Sequence, residues 1–185
     1  LFHMEIIQER LEREYNLDIV LTAPTVEYEV VLHDGSQLLI DSPNDLPDEW
    51  MTEEIREPWV DLWIFTPTDC YGAVMDLVDK RNGVFLEQDY PAPNKVQLKF
   101  EIPLSAIIVD FFDELKSKTR GYASMDYQFK EYKPGKLVKL EVMINGEAVD
   151  ALTSIVPQEQ AYMKGQKLVS KLKELIPRQL FDVAI

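Results

Sequence analysis

The sequence predicts an α+β fold organised around a repeated strand–helix–strand unit, and three observations carry that prediction. Residues 59–90 and 95–129 run through the same signals: an apolar strand, a helix opened by proline, a glycine stop and a second strand. Pro67 pairs with Pro103, and Gly83 with Gly121, at similar offsets. The chain is 185 residues long and 46% hydrophobic, enough to build a real core. The repeat spells a split βαβ, or ferredoxin-like βαββαβ, unit.

The elements follow in order. Ile6, Ile7, Leu11 and Tyr15 recur at helical spacing, so residues 2–15 are expected to be helical. No capping residue stands ahead of them, which reads as a cut inside a larger element. Asp18 to Leu32 reads as extended, and Asp34-Gly35 offers a hairpin turn before Gln37 to Asp41. Ser42 to Glu57, with Pro43, Pro47 and six acidic residues, is expected to be a linker or surface loop. Trp59 to Thr66 reads as a strand. Thr66 then serves as N-cap and Pro67 as first helical residue, with Tyr71, Val74, Met75 and Val78 as the buried stripe and Gly83 as the stop. Val84 to Tyr90 and Lys95 to Ile102 form the next strands. A second helix is expected from Pro103, with the stripe Leu104, Ile107, Ile108, Phe111 and Leu115. Tyr122 to Phe129 is the strand that follows its break at Gly121. Beyond Lys133-Pro134-Gly135, the strands Leu137 to Ile144 and Glu147 to Ile155 flank Asn145-Gly146, a strong type I′ hairpin signal. A helix from Pro157 to Ile176 with Ala161, Leu168, Leu172 and Leu175 on one face, and a strand from Leu180 to Ile185, complete the pattern. The expected divisions are 1–55, 56–134 and 135–185.

The net charge of −14 is unevenly spread. Residues 1–57 hold three basic and fifteen acidic residues, a net of −12. Residues 58–135 hold nine against twelve, a net of −3, and residues 136–185 seven against six, a net of +1. The first third should repel nucleic acid, and the last third can approach a phosphate backbone. The single cysteine, Cys70, allows no internal disulfide and no cysteine-based zinc site. No apolar run approaches the roughly 20 residues of a membrane span, and no signal pattern opens the chain. These features lead to the expectation of a soluble cytosolic protein.

Catalytic constellations are sparse. A phosphate-cradling G-x-x-x-x-G-K-[ST] loop is absent: Gly135-Lys136 is followed by Leu137, and Gly165-Gln166-Lys167 fails as well. His3-Met4-Glu5 matches the first half of a zinc-deaminase signature without the cysteines that complete it. Cys70 begins a helix opposite no base, and Glu9, Glu12 and Glu14 alternate with Arg10 and Arg13 as on a solvated, ion-paired helix face. No catalytic, cofactor or metal residue is expected. Two basic clusters remain: Lys116, Lys118 and Arg120 beside Tyr122, and Lys164, Lys167, Lys171 and Arg178. Basic residues with a nearby aromatic can contact RNA phosphate, but on the residues alone ordinary helix-dipole complementation and solubility is the favoured reading.

Several blocks carry a family resemblance. The stretch His3 to Tyr15, Thr22-Ala23-Pro24-Thr25-Val26 and Tyr28-Glu29-Val30 resemble the end of the third domain of the LepA (elongation factor 4) family of translational GTPases. Arg56-Glu57-Pro58, Tyr71-Gly72-Ala73-Val74, Asp110-Phe111-Phe112-Asp113 and Arg120-Gly121-Tyr122-Ala123-Ser124 resemble the fifth, EF-G-like domain. Ile144-Asn145-Gly146-Glu147, Val149-Asp150-Ala151-Leu152 and Leu172-Lys173-Glu174-Leu175-Ile176-Pro177-Arg178-Gln179 resemble the C-terminal domain that separates LepA from EF-G. Val31 to Thr52 matches poorly.

The resemblance implies an EF-G domain III-like part, a ferredoxin-like domain V-like centre and the start of the LepA-specific α/β domain. It also implies a C-terminal fragment without the GTP-binding domain, so GTP and magnesium belong to the missing part. The implied parent hydrolyses GTP on the ribosome, promotes one-codon back-translocation and supports translation fidelity under stress. The implied partners are ribosomal RNA, ribosomal proteins and A-site tRNA, with no DNA. The fragment itself is expected to be monomeric and cytoplasmic, the parent also peripheral on the cytoplasmic membrane face. The seven basic residues named above are then the candidate RNA contacts. The alternative reading is an acidic protein-interaction module without RNA binding.

Overall fold

A computed structural model describes residues 2–16 and 24–176, with side chains from Ile6 onward. Helix α1 spans Phe2–Tyr15. It is followed by strands β1 (Tyr28–Leu32), β2 (Gln37–Ile40) and β3 (Thr52–Pro67), helix α2 (Tyr71–Asp79), strands β4 (Val84–Ala92) and β5 (Lys95–Pro103), and helix α3 (Phe111–Lys118). Strands β6 (Ser124–Pro134), β7 (Leu137–Leu140), β8 (Met143–Ile144), β9 (Glu147–Ala148) and β10 (Ser154–Pro157) precede helix α4 (Gln158–Leu175). The final strand expected over Leu180 to Ile185, and the extended start from Asp18, lie outside the described residues.

The architecture is α+β with an antiparallel sheet. β3 is its axis: β6 pairs along one side, while β1 and then β5 pair along the other, and β2 and β4 close the ends. The order β6-β3-β5-β4, with α2 and α3 in the crossovers, is the ferredoxin-like arrangement the internal repeat announced. Alternation along β3 places Val60, Leu62 and Ile64 inward, opposite Ile102, Phe100 and Leu98 of β5. Val74, Leu77 and Val78 of α2 and Phe111 and Leu115 of α3 cover that face. A second core joins Val26, Tyr28, Val30 and Ile40 to Ile155 of β10.

Four local readings differ from the structure. Thr52 to Glu57 is strand rather than linker, because Leu32 to Glu29 of β1 and Pro134 of β6 supply partners that no local signal reveals. β3 therefore passes between residues 55 and 56 unbroken. Thr66 does not cap α2: Thr68–Cys70 forms a 3-10 turn first, and the buried Thr66 hydroxyl has no hydrogen-bond partner among the described residues. The helix expected from Pro103 splits. A 3-10 turn covers Leu104–Ala106, and α3 begins only after Asp110 adopts a left-handed φ of 51°, which reverses the chain. The Asn145-Gly146 turn is present, with φ of 54° and 87°, but it joins the two-residue strands β8 and β9. β7 pairs instead with β10.

Candidate nucleic-acid interface

The first basic cluster sits where α3 ends. Thr119 is fully buried and ties the turn together: its hydroxyl donates to Leu115 O at 2.7 Å and accepts from Ala123 N–H at 3.1 Å. Gly121, at φ 82°, donates to Lys116 O at 2.7 Å, a left-handed helix stop that glycine adopts without steric cost. Arg120 is held in the left-handed region at φ 55°, and its guanidinium pairs with Asp69 and lies 3.9 Å from Cys70 Sγ. That pairing holds the Asp69 carboxyl below the usual carboxylate range. Lys116 Nζ donates to Gly121 O at 3.2 Å and lies 5.3 Å from the centre of the Phe112 ring. Lys118 is exposed and makes no hydrogen bond or ion pair among the described residues. Tyr122, just past the turn, is 71% exposed.

The β4–β5 turn joins this end through Thr68 N–H, which donates to Asn94 O at 3.1 Å. It brings exposed Tyr90 and Lys95 into the neighbourhood. Sequence reading missed both, because only the pairing of β4 with β5 delivers them there.

The second cluster lies on α4. Lys164, Lys167 and Lys171 are exposed at i, i+3 and i+7, one stripe of the helix, next to Tyr162 at 80% exposure. Lys167 and Lys171 form no ion pair among the described residues. Lys164 differs, because partial desolvation lowers its pKa and Glu57 and Arg81 lie in its field. Arg178 lies outside the described residues. The structure does not merge the two clusters. One adjoins the Ser124 end of β6 and the other follows its Pro134 end, along an eleven-residue strand about 35 Å long.

An open cleft of about 1320 Å³ lies at the Pro134 end, between the loops of the central module and the C-terminal strands. Glu57, Arg81, Lys136 and Lys164 line it, and neither histidine nor cysteine does. Burial pushes the Glu57 carboxyl up, against weaker opposing effects of the Ser105 hydroxyl at 3.4 Å and Lys164. Arg81 is committed to Asp110, Glu114 and the Ala106 carbonyl. Among the described residues no cluster of three or more metal-ligating side chains occurs, and no helix is long and apolar enough to cross a membrane.

The helix-free face of the sheet carries a further layer. Lys99 lies over the Trp63 ring at 5.4 Å and Lys133 over Trp59 at 4.6 Å, while Glu101 accepts from Lys133 at 2.5 Å. Period-two alternation in β3 would have exposed the tryptophan pair, but the lysines above them depend on inter-strand register.

Comparison with known proteins fixes the family. Residues 54–143 match the family described as elongation factor G C-terminus, and residues 144–185 match that described as GTP-binding protein LepA C-terminus. Elongation factor 4 of Clostridium novyi is 52% identical over all 185 residues of this chain. The chain belongs to the LepA (elongation factor 4) family. Elongation factor 4 of Halalkalibacterium halodurans is 51% identical over the same length, and that of Bacillus subtilis 48%. The chain spans about 30% of the length of these relatives. The succession of an EF-G-type ferredoxin-like module and a LepA-type C-terminal segment is what distinguishes this LepA chain from an EF-G one.

Proposed function

We propose that this chain is the ribosome- and tRNA-contacting part of a LepA-type translational GTPase, and that it binds and positions without catalysing a reaction. Membership of the LepA family supports the ribosomal setting. The observation that carries the contact assignment is the placement of two basic surfaces toward opposite ends of β6. In this reading the α3 end, with Lys116, Lys118, Arg120 and Tyr122, meets ribosomal RNA, and the α4 stripe of Lys164, Lys167 and Lys171 meets A-site tRNA. Arg120 acts by presenting the turn, since its charge is shared with Asp69. GTP and magnesium are held by residues outside this chain, which contains no G-x-x-x-x-G-K-[ST] loop. The whole factor would use the grip supplied here to move tRNAs back by one codon.

Cosedimentation with ribosomes across a salt series tests the reading. The triple variant Lys164→Glu, Lys167→Glu, Lys171→Glu should weaken association by at least about tenfold and flatten its salt dependence. Unchanged affinity and slope would remove α4 from the interface. Retention only of protein partners after nuclease treatment would favour the acidic interaction-module reading instead.

A further inference from the structure

The three outer strands of the large sheet are not equally guarded. β4 is broken by register shifts at Phe85/Glu87 and Asp89/Ala92. β6 carries a shift opposite Trp59/Val60 and ends in Lys130, Lys133 and Pro134. Bulges, lysines and proline are the devices that stop an edge from recruiting another strand. β2 has none of them. Its four residues, Gln37-Leu38-Leu39-Ile40, pair with β1 in unbroken register, and Leu38 and Leu39 are 41% and 60% exposed. Its other edge carries no strand among the described residues.

The surroundings of β2 select the partner. No lysine or arginine occurs between Arg13 and Arg56, while exposed Glu27, Asp34, Asp41 and Glu53 flank the hairpin. Arg56, which reaches β1, is consumed by Glu29 at 2.8 Å and Glu54 at 2.5 Å. The turn bearing Trp50, 74% exposed, abuts the hairpin through His33 N–H, which donates to Met51 O at 3.1 Å. The potential here repels a phosphate backbone, and the exposed leucines need an apolar counterpart.

We propose that the free edge of β2 docks an extended, lysine- or arginine-rich segment of a partner protein, which adds to the sheet as a further strand. Main-chain hydrogen bonds supply the attachment, the apolar side chains on one face of the added strand lie beside one of the two leucines, and the basic residues on its other face meet the acidic rim. This surface is separate from the two lysine clusters and of opposite sign.

The test uses the 185-residue chain and three synthetic peptides alternating valine with lysine, serine or glutamate. The lysine peptide should slow amide exchange within residues 37–40, where alternate N–H groups of an edge strand point away from the sheet. Its affinity should fall by about tenfold between about 50 and about 300 mM salt. Leu39→Lys, which installs an edge guard, should weaken it by about tenfold while protection of Val30 shows the hairpin intact. Asp41→Lys with Glu53→Lys should weaken it similarly with the edge unaltered. Equal protection by the glutamate peptide, binding without change at residues 37–40, or protection of β2 by single-stranded RNA would each overturn the proposal.

Discussion

The central ferredoxin-like module and the C-terminal segment are built on opposite terms. In the first, β3, β5, α2 and α3 contribute twelve residues to a continuous buried interior, which Ile107 and Ala123 complete. In the second, α4 runs for eighteen residues with none buried, resting Ala161, Leu168, Val169 and Leu172 half-covered against β7 and β10. The contrast separates two uses of a surface. The central module closes one face of its sheet under α2 and α3 and carries ion-paired charge, such as Lys133 with Glu101, on the other. The C-terminal segment keeps lysines, Tyr162 and Met163 in solvent along a helix that its own two-stranded sheet cannot cover. The stability of so exposed a helix depends on what it rests upon.

The sharpest way to break this contrast is to remove the same side chain from both regions. Leu98→Ala, deep in the central core, should cost about 2–5 kcal/mol. Leu168→Ala, half-covered on α4, should cost roughly 1 kcal/mol. Denaturant melts followed by amide exchange in each region would compare them, and equal costs would show that α4 is packed as tightly as the core. A glycine pair sharpens the point. A Cβ at Gly83 would overlap Val78 Cγ1 and lie 3.2 Å from the Val78 carbonyl oxygen, so Gly83→Ala should destabilise by about 1–3 kcal/mol. At Gly165 the added Cβ meets only Leu140 Cδ1 at 3.4 Å within a helix, so Gly165→Ala should stabilise by about 0.5–1 kcal/mol. Thermal melts of the two variants should therefore shift in opposite directions.

The same contrast governs how much was legible in the sequence. The central fold was readable because its signals are local and repeated: period-two alternation in β3 and β5, apolar spacing in α2, and glycine stops at Gly83 and Gly121. The extension of β3 back to Thr52 was not readable, since Glu53 and Glu54 lack strand character and become strand through pairing with β1. The split before α3 was hidden as well. Leu104, Ile107, Ile108 and Phe111 satisfy helical spacing, yet the left-handed Asp110 divides them between a turn and a helix. At the candidate interface, exposure of the α4 lysines followed from helical spacing. The capture of Arg120 by Asp69 did not, because fifty-one residues separate the two in the chain.

Two glutamates divide by region in how they respond to pH, and this gives the smallest expected effect. Glu101, in the central sheet, is held below the ordinary glutamate range, first by the hydrogen bond from Lys133. A lowered carboxyl contributes stability that is present above about pH 4.3 and lost as pH falls through its folded value. Lys133→Met should therefore cost about 1 kcal/mol or less at pH 7, after solvent screening, and the difference should shrink in acid. Glu57, at the seam with the C-terminal segment, is raised chiefly by burial. A raised carboxyl acts with the opposite sign: its penalty is absent in acid, where it is protonated folded and unfolded, and grows as pH rises above about 4.3. Glu57→Gln should thus stabilise the chain at pH 7 and do little in acid. Melts of both variants over this range would check the pair. A loss of stability on Glu57→Gln at pH 7 would show instead that attraction to Lys164 outweighs burial, making the seam a closed ionic contact rather than a loosely joined one.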